Sequence, residues 1–114
     1  MTHEDFMRAA LLLAQAAADE GEVPVGAVVV KNGAIVGRGR NRRETAKQAA
    51  AHAEMEAIAD ACRTLGGWRL SDCDLYVTLE PCPMCAGAII NARIRCVFFG
   101  ASDKKAGSCG SLVD

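Results

Sequence analysis

Three side chains of this sequence are suited to gripping a soft metal ion: His52, and the pair Cys82 and Cys85 within Thr78-Leu79-Glu80-Pro81-Cys82-Pro83-Met84-Cys85. Two thiolates and a neutral imidazole suit Zn²⁺, which takes sulfur and nitrogen in a tetrahedron and has no redox chemistry. The two thiolate charges cancel that of the ion. Three protein ligands leave a fourth position to water, and zinc lowers the pKa of that water toward about 7, so that a hydroxide nucleophile exists at neutral pH. Glu54 stands two residues after His52, where a carboxylate can take the proton and return it to a leaving group. The expectation is a catalytic zinc, about one per chain by the three-ligand argument.

Other chemistries use parts of the same pattern. A Cys-x-x-Cys pair after a strand and at a helix start is also the setting of a thioredoxin-like redox pair, but that reading gives His52 and Glu54 nothing to do. A closed structural zinc with a further cysteine as fourth ligand leaves Glu54 without a task. A disulfide scaffold would use all 6 cysteines. Such scaffolds belong to secreted domains with poor cores, and this chain is rich in aliphatic residues. Cys62, Cys73, Cys96 and Cys109 therefore read as small, mostly buried hydrophobes. His3, the other histidine, reads as a solvated terminal residue.

The elements that must position these groups follow from patterning. Thr2 to Glu20 reads as an amphipathic helix, with Thr2 and Asp5 as a capping pair and Phe6, Ala9, Ala10, Leu13, Ala14 and Ala17 as the apolar face. Pro24 to Val30 is apolar and β-branched, the pattern of a strand covered on both faces. Lys31-Asn32-Gly33 is a hairpin turn, so Ala34 to Arg40 returns antiparallel. His52 to Leu65 is a second helix, stopped by Gly66-Gly67, with Met55, Ile58, Ala59 and Cys62 facing the core. Leu75 to Leu79 is a short strand. Pro83 can occupy the first turn of a third helix running to about Asn91, which puts Cys82 at its cap. Arg95 to Gly100 is a further strand, and from Ala101 onward Gly, Ser and Lys dominate. The order predicts an α/β fold, a mixed sheet between helices, with both reactive elements at one carboxyl edge of the sheet.

At 114 residues the chain reads as one domain, 1–114, with a single core. Its 51% hydrophobic and 24% charged content are those of a globular protein. A net charge of −1 argues against indiscriminate coating of nucleic acid. Glu4 and Asp5 stand where a signal peptide would carry Lys or Arg, and no apolar run reaches membrane-spanning length, so the expected compartment is the cytoplasm, with no membrane partner. Arg38, Arg40, Arg42, Arg43 and Lys47 form a basic cluster. It serves either as a solvated edge that blocks strand addition or as a phosphate-facing patch, and its place just before His52 favours the second.

His52-Ala53-Glu54 followed by Pro81-Cys82-Pro83-Met84-Cys85 resembles the His-x-Glu…Pro-Cys-x-x-Cys signature of the zinc nucleobase deaminases, the cytidine and deoxycytidylate deaminase superfamily. The stretches Glu22 to Val28, Gly39 to Arg42, Leu75 to Cys82 and Met84 to Ile90 look most like its tRNA adenosine deaminase branch. The resemblance implies a three-layer α/β/α cytidine-deaminase-like fold, with an N-terminal antiparallel hairpin followed by parallel strands. It implies conversion of adenosine to inosine at the wobble position of a tRNA anticodon loop, with Glu54 as proton shuttle. It also implies that Asn41 bonds the target base or its ribose, that the amides of Ala53 and Cys82 hold the reacting ring, and that Val23 and the His52 ring line the base pocket. Arg40, Arg42 and Arg43 become candidates for the RNA backbone, and a homodimer is implied. Deamination of a free base or nucleoside such as guanine or cytosine is the alternative, and a catalytically silent zinc module or fragment a further one. Two departures stand out. Gln48-Ala49-Ala50-Ala51 replaces the usual Asp-Pro-Thr-Ala, and beyond Ser111-Leu112-Val113-Asp114 the family continues into a strand and a basic helix.

Overall fold

The structure, a computed structural model, describes residues 2–48 and 51–100. The expectations placed on Ala49, Ala50, Cys109 and the segment from Ala101 to Asp114 lie outside the described residues. The elements run α1 (His3–Asp19), β1 (Gly26–Lys31), β2 (Ala34–Arg40), α2 (Ala53–Leu65), β3 (Cys73–Val77), α3 (Pro83–Asn91) and β4 (Cys96–Phe99). Four strands form one sheet in the order β2-β1-β3-β4. β1 is antiparallel to both β2 and β3, and β3 is parallel to β4. The hairpin and the mixed sheet are as the sequence predicts. Asn32 and Gly33, at φ 52° and 77°, make the tight connection whose twist suits paired strands.

α1 begins with the predicted capping box, in which Thr2 Oγ1 accepts from the Asp5 amide while the Asp5 carboxylate accepts from the Thr2 amide. It covers one sheet face, where Phe6, Val28, Val30 and Tyr76 are buried and Phe98 stacks on Tyr76. The larger core lies on the other face, where α2 and α3 pack on Val25, Ala27, Val29, Leu75 and Val77. This is the three-layer α/β/α arrangement.

The structure corrects several details. The face of α2 turned to the sheet is Ala53, Ala57 and Ala61, all fully buried; Met55, Ile58 and Cys62 are partly buried at its flanks and Ala59 is exposed. The reason is that β2 presents Gly37 and Gly39, which have no side chains to hold the helix off. A β-carbon at Gly37 would stand 2.4 Å from the Ala57 carbonyl oxygen. With backbones this close, only alanine fits the seam. β3 runs from Cys73 to Val77 rather than from Leu75 to Leu79, because Cys73 already pairs with Lys31 and Asp74 with both Val30 and Cys96. Thr78 ends the ladder by donating its amide to Gly26 O and accepting from the Gly26 amide through its hydroxyl. β1 likewise begins at Gly26, two residues beyond Pro24, which has no N–H to contribute. Cys96 is exposed rather than buried, at the start of β4.

Candidate metal centre and active site

His52 and Cys82 occupy equivalent places: each is the N-cap of a helix, α2 and α3 respectively, with extended backbone and no side-chain cap to its own helix. Pro83 follows Cys82 at the first helical position, where its missing N–H is no loss. Instead of capping, the two side chains turn toward each other. His52 Nδ1 lies 3.6 Å from Cys82 Sγ and 3.5 Å from Cys85 Sγ. The three donor atoms all fall within 4.8 Å of one another. A tetrahedral zinc with its usual bond lengths needs an N···S separation of about 3.6 Å, so the donor set fits that ion by chemistry and by spacing. Cys85 is fully buried, and Cys82 and His52 are half-buried.

The electrostatics suit the same role. Burial lowers the His52 pKa, and the Arg43 charge lowers it further, so the imidazole is neutral and free to ligate. Cys85 is the exception: burial raises its thiol far above its ordinary range, with the Glu54 carboxylate and Cys82 adding to the shift, so a bound metal would have to drive its ionisation. Glu54 is the second residue of α2, 5% exposed, and burial raises its pKa above the ordinary carboxylate value. A carboxylate in that condition beside three metal donors is suited to picking up and handing on a proton.

Neither helix start is capped by a side chain. Ala53 is fully buried against β2. Asn41 follows the last residue of β2 and is 7% exposed. Its amide donates to Val25 O, and its side-chain oxygen accepts from the Arg43 amide at 3.3 Å. The side-chain NH₂ of Asn41 remains to donate elsewhere. Val23 is 57% exposed, available to a ligand rather than packed in the core.

The three candidate arginines separate. Arg40 is clamped to Glu20, its Nε donating at 2.5 Å and its Nη2 at 3.3 Å. Arg42 pairs with Glu56 at 3.6 Å. Arg43 is exposed, and its charge is felt at His52. The structure thus brings Arg43 electrostatically to the metal donors and gives Arg40 and Arg42 acidic partners within the chain.

Two buried acids, Glu22 and Glu80, were given no role by the sequence. Glu22, 7% exposed, accepts from the Glu44 amide at 3.1 Å and from both the amide and the hydroxyl of Thr45 at 2.6 Å. Nothing in Gly21-Glu22-Val23-Pro24 distinguishes such an acid from a solvated one just past a helix. A separate cavity of about 520 Å³, lined in part by Thr2, His3, Asn32, Asp72 and Tyr76, lies at the amino end of β3, away from Cys82 at its carboxyl end. Among the described residues no helix is long and apolar enough to cross a membrane.

Comparison with known proteins gives this geometry a setting. The sequence profile of the MafB19-like deaminase family matches residues 1–113. The chain is 51% identical over 115 residues to the tRNA-specific adenosine deaminase of Bacillus subtilis (strain 168), covering 100% of this chain and 71% of that protein. It is 53% identical over 110 residues to the chloroplastic tRNA(adenine(34)) deaminase of Arabidopsis thaliana, covering 96% of this chain and 8% of that much longer protein. Among solved structures, one from a study of A-to-I editing by tRNA:A34 deaminases at the wobble position of transfer RNA superposes with a TM-score of 0.92 at 48% identity, over 95% of this chain and 83% of that one. The guanine deaminase of Bacillus subtilis superposes with a TM-score of 0.89 at 46% identity, over 97% of this chain and 71% of that one.

Proposed function

The chain belongs to the MafB19-like deaminase family, and from that premise we propose that it is a zinc-dependent hydrolytic deaminase converting adenosine to inosine at the wobble position of a tRNA anticodon loop. The observation that carries the chemistry is the convergence of His52, Cys82 and Cys85 beside the buried Glu54. The choice of tRNA is supported by the 51% identity, across the whole chain, to a tRNA-specific adenosine deaminase.

His52 Nδ1 and the Cys82 and Cys85 sulfurs would hold a zinc ion, whose chemistry there would be to ionise a water near neutral pH. Glu54 would take one proton from that water and give it to the ring nitrogen as oxygen adds at C6 of the adenine, then take the remaining hydroxyl proton and give it to the amino group, which leaves as ammonia as the C6 carbonyl forms. Its raised pKa suits a group that must both take and give. The NH₂ of Asn41 donates to the base or its ribose, the amides of Ala53 and Cys82 hold the ring, and Val23 with the His52 ring forms the pocket wall. Arg43 faces a flanking phosphate of the splayed loop; Arg40 and Arg42 serve mainly to brace it. A homodimer acting in the cytoplasm, each copy one domain over 1–114, completes the reading.

A second reading, deamination of free guanine, is favoured by the likeness to the Bacillus subtilis guanine deaminase. Incubating the zinc-loaded protein separately with tRNA, guanine, cytosine and adenosine distinguishes them. Inosine formed in tRNA, with the free compounds untouched, is the expected result; xanthine from guanine with unmodified tRNA would put the second reading in its place. No turnover on any substrate, with a fourth cysteine bound to zinc, would mark a silent structural site.

A further inference from the structure

We propose that Glu22 is a positioning residue for substrate, holding the 41–48 segment so that Asn41 and Arg43 face the RNA. The proposal rests on the roles given to those two residues above. Glu22 sits where α1 gives way to β1, and its own amide donates to Ala17 O at 2.9 Å, so its backbone is fixed to the end of the helix. A carboxylate that is 7% exposed is costly to bury unless its oxygens are satisfied. Here they take three donors, the Glu44 amide, the Thr45 amide and the Thr45 hydroxyl.

Those bonds land where the segment has little else to hold it. Its start is tied by the Asn41 amide to Val25 O and by the Arg42 amide to Ala51 O, next to His52. Beyond Arg42 the backbone bonds of the segment are mainly internal: Ala46 to Arg42 O, Lys47 to Glu44 O and Gln48 to Arg43 O. Among the described residues, the amides of Glu44 and Thr45 are tied to another element only through Glu22. Lys47 holds a left-handed φ of 55°, a conformation a free segment would leave. The Asn41 side-chain oxygen is occupied by the Arg43 amide, so moving Arg43 also releases the orientation of the Asn41 NH₂. Glu22 therefore acts on substrate through the segment, two bonds removed from the reacting atoms.

The test compares wild type, Glu22→Gln and Glu22→Ala, all zinc-loaded, on an anticodon stem-loop RNA, with hydrogen exchange read at the Glu44 and Thr45 amides. Removing hydrogen bonds to a charged acceptor should raise KM by about ten-fold or more in Glu22→Ala, with kcat changed much less, the pattern of lost binding rather than lost chemistry. Glu22→Gln keeps one acceptor oxygen and should fall between. Zinc content should not change, and exchange at both amides should quicken in the same order. Wild-type KM in Glu22→Ala with the two amides freed would overturn the proposal, as would protected amides in that variant. If Glu22→Ala does not fold, Thr45→Val removes one donor and should give a smaller KM rise; no rise would likewise overturn it. A wild-type protein that deaminates no RNA sinks the functional reading, while the exchange data still decide whether Glu22 orders the segment.

Discussion

Gly39 of β2 and Ala53 of α2 meet backbone to backbone: a β-carbon on Gly39 would stand 2.2 Å from the Ala53 carbonyl oxygen and 2.5 Å from the Ala57 amide. Neither atom can yield without moving the first turn of α2, which carries His52 and Glu54. Gly39→Ala is therefore expected to destabilise the fold by about 1–3 kcal/mol and to lower zinc occupancy and turnover together. Thermal melting and metal analysis check this, with Gly67→Ala as control, since a β-carbon there meets nothing within 4 Å.

Glu54 has a different relation to the metal-donor set. It is buried among the donors without being counted in the His52, Cys82, Cys85 set. Glu54→Gln keeps the volume and removes the proton carrier, so it should retain about one zinc per chain and lose on the order of 10²–10⁴-fold in turnover. Parallel metal analysis and single-turnover assays would reveal it; undiminished turnover would remove Glu54 from the mechanism.

The arginines should respond unequally. Arg40 and Glu20 are each about a third exposed, and a solvent-screened pair of that kind contributes little net stability. Arg40→Ala should thus cost little stability and leave the salt dependence of RNA binding as it was. Arg43→Ala should weaken binding and reduce the slope of log affinity against log salt by about one. Binding titrations over a salt series compare the two; equal slopes would remove Arg43 from the phosphate contact.

The Glu22 carboxylate carries a pH signature. The Thr45 hydroxyl, then the Thr45 and Glu44 amides and the Arg42 charge, hold its pKa below the ordinary 4.5, outweighing the opposing effect of burial. Nearby Glu20 is itself held low by Arg40. A pKa depressed on folding adds stability that is present above 4.5 and disappears as pH falls through the lower folded value. Melting temperatures of wild type and Glu22→Gln, followed downward from neutral pH, should converge in acid. A constant gap would exclude Glu22 as the titrating group.

Much of this was legible in residue types. The capping pair Thr2 and Asp5, the Asn32-Gly33 turn and Pro83 after Cys82 each act locally, so each could be read from a few neighbours. His52, Glu54, Cys82 and Cys85 were legible because metal chemistry restricts which side chains can serve. The buried face of α2 was not, since the larger Met55 and Ile58 outweigh alanine in any hydrophobic pattern. Only the glycines of a strand across the seam make Ala53, Ala57 and Ala61 the inner row. Glu22 and the division among Arg40, Arg42 and Arg43 escaped for a related reason. The partners of Glu22, Arg40 and Arg42 lie roughly fourteen to twenty-three residues away, and a charged side chain in sequence does not say whether its counter-charge is solvent, substrate or its own protein.

His52 and Cys82 are 30 positions apart, each at the mouth of its own helix. An ion gripping both fastens those two mouths and turns the intervening chain, with α2 and β3 inside it, into a closed ring. A covalent tie across such a span removes unfolded-state freedom equivalent to roughly 3.6 kcal/mol, and a tightly held ion acts in the same direction. A zinc bound there would be a rivet as well as a catalyst, and chelating it should leave a protein that is not merely idle but easier to pull apart and quicker to be cut by a protease between α2 and α3.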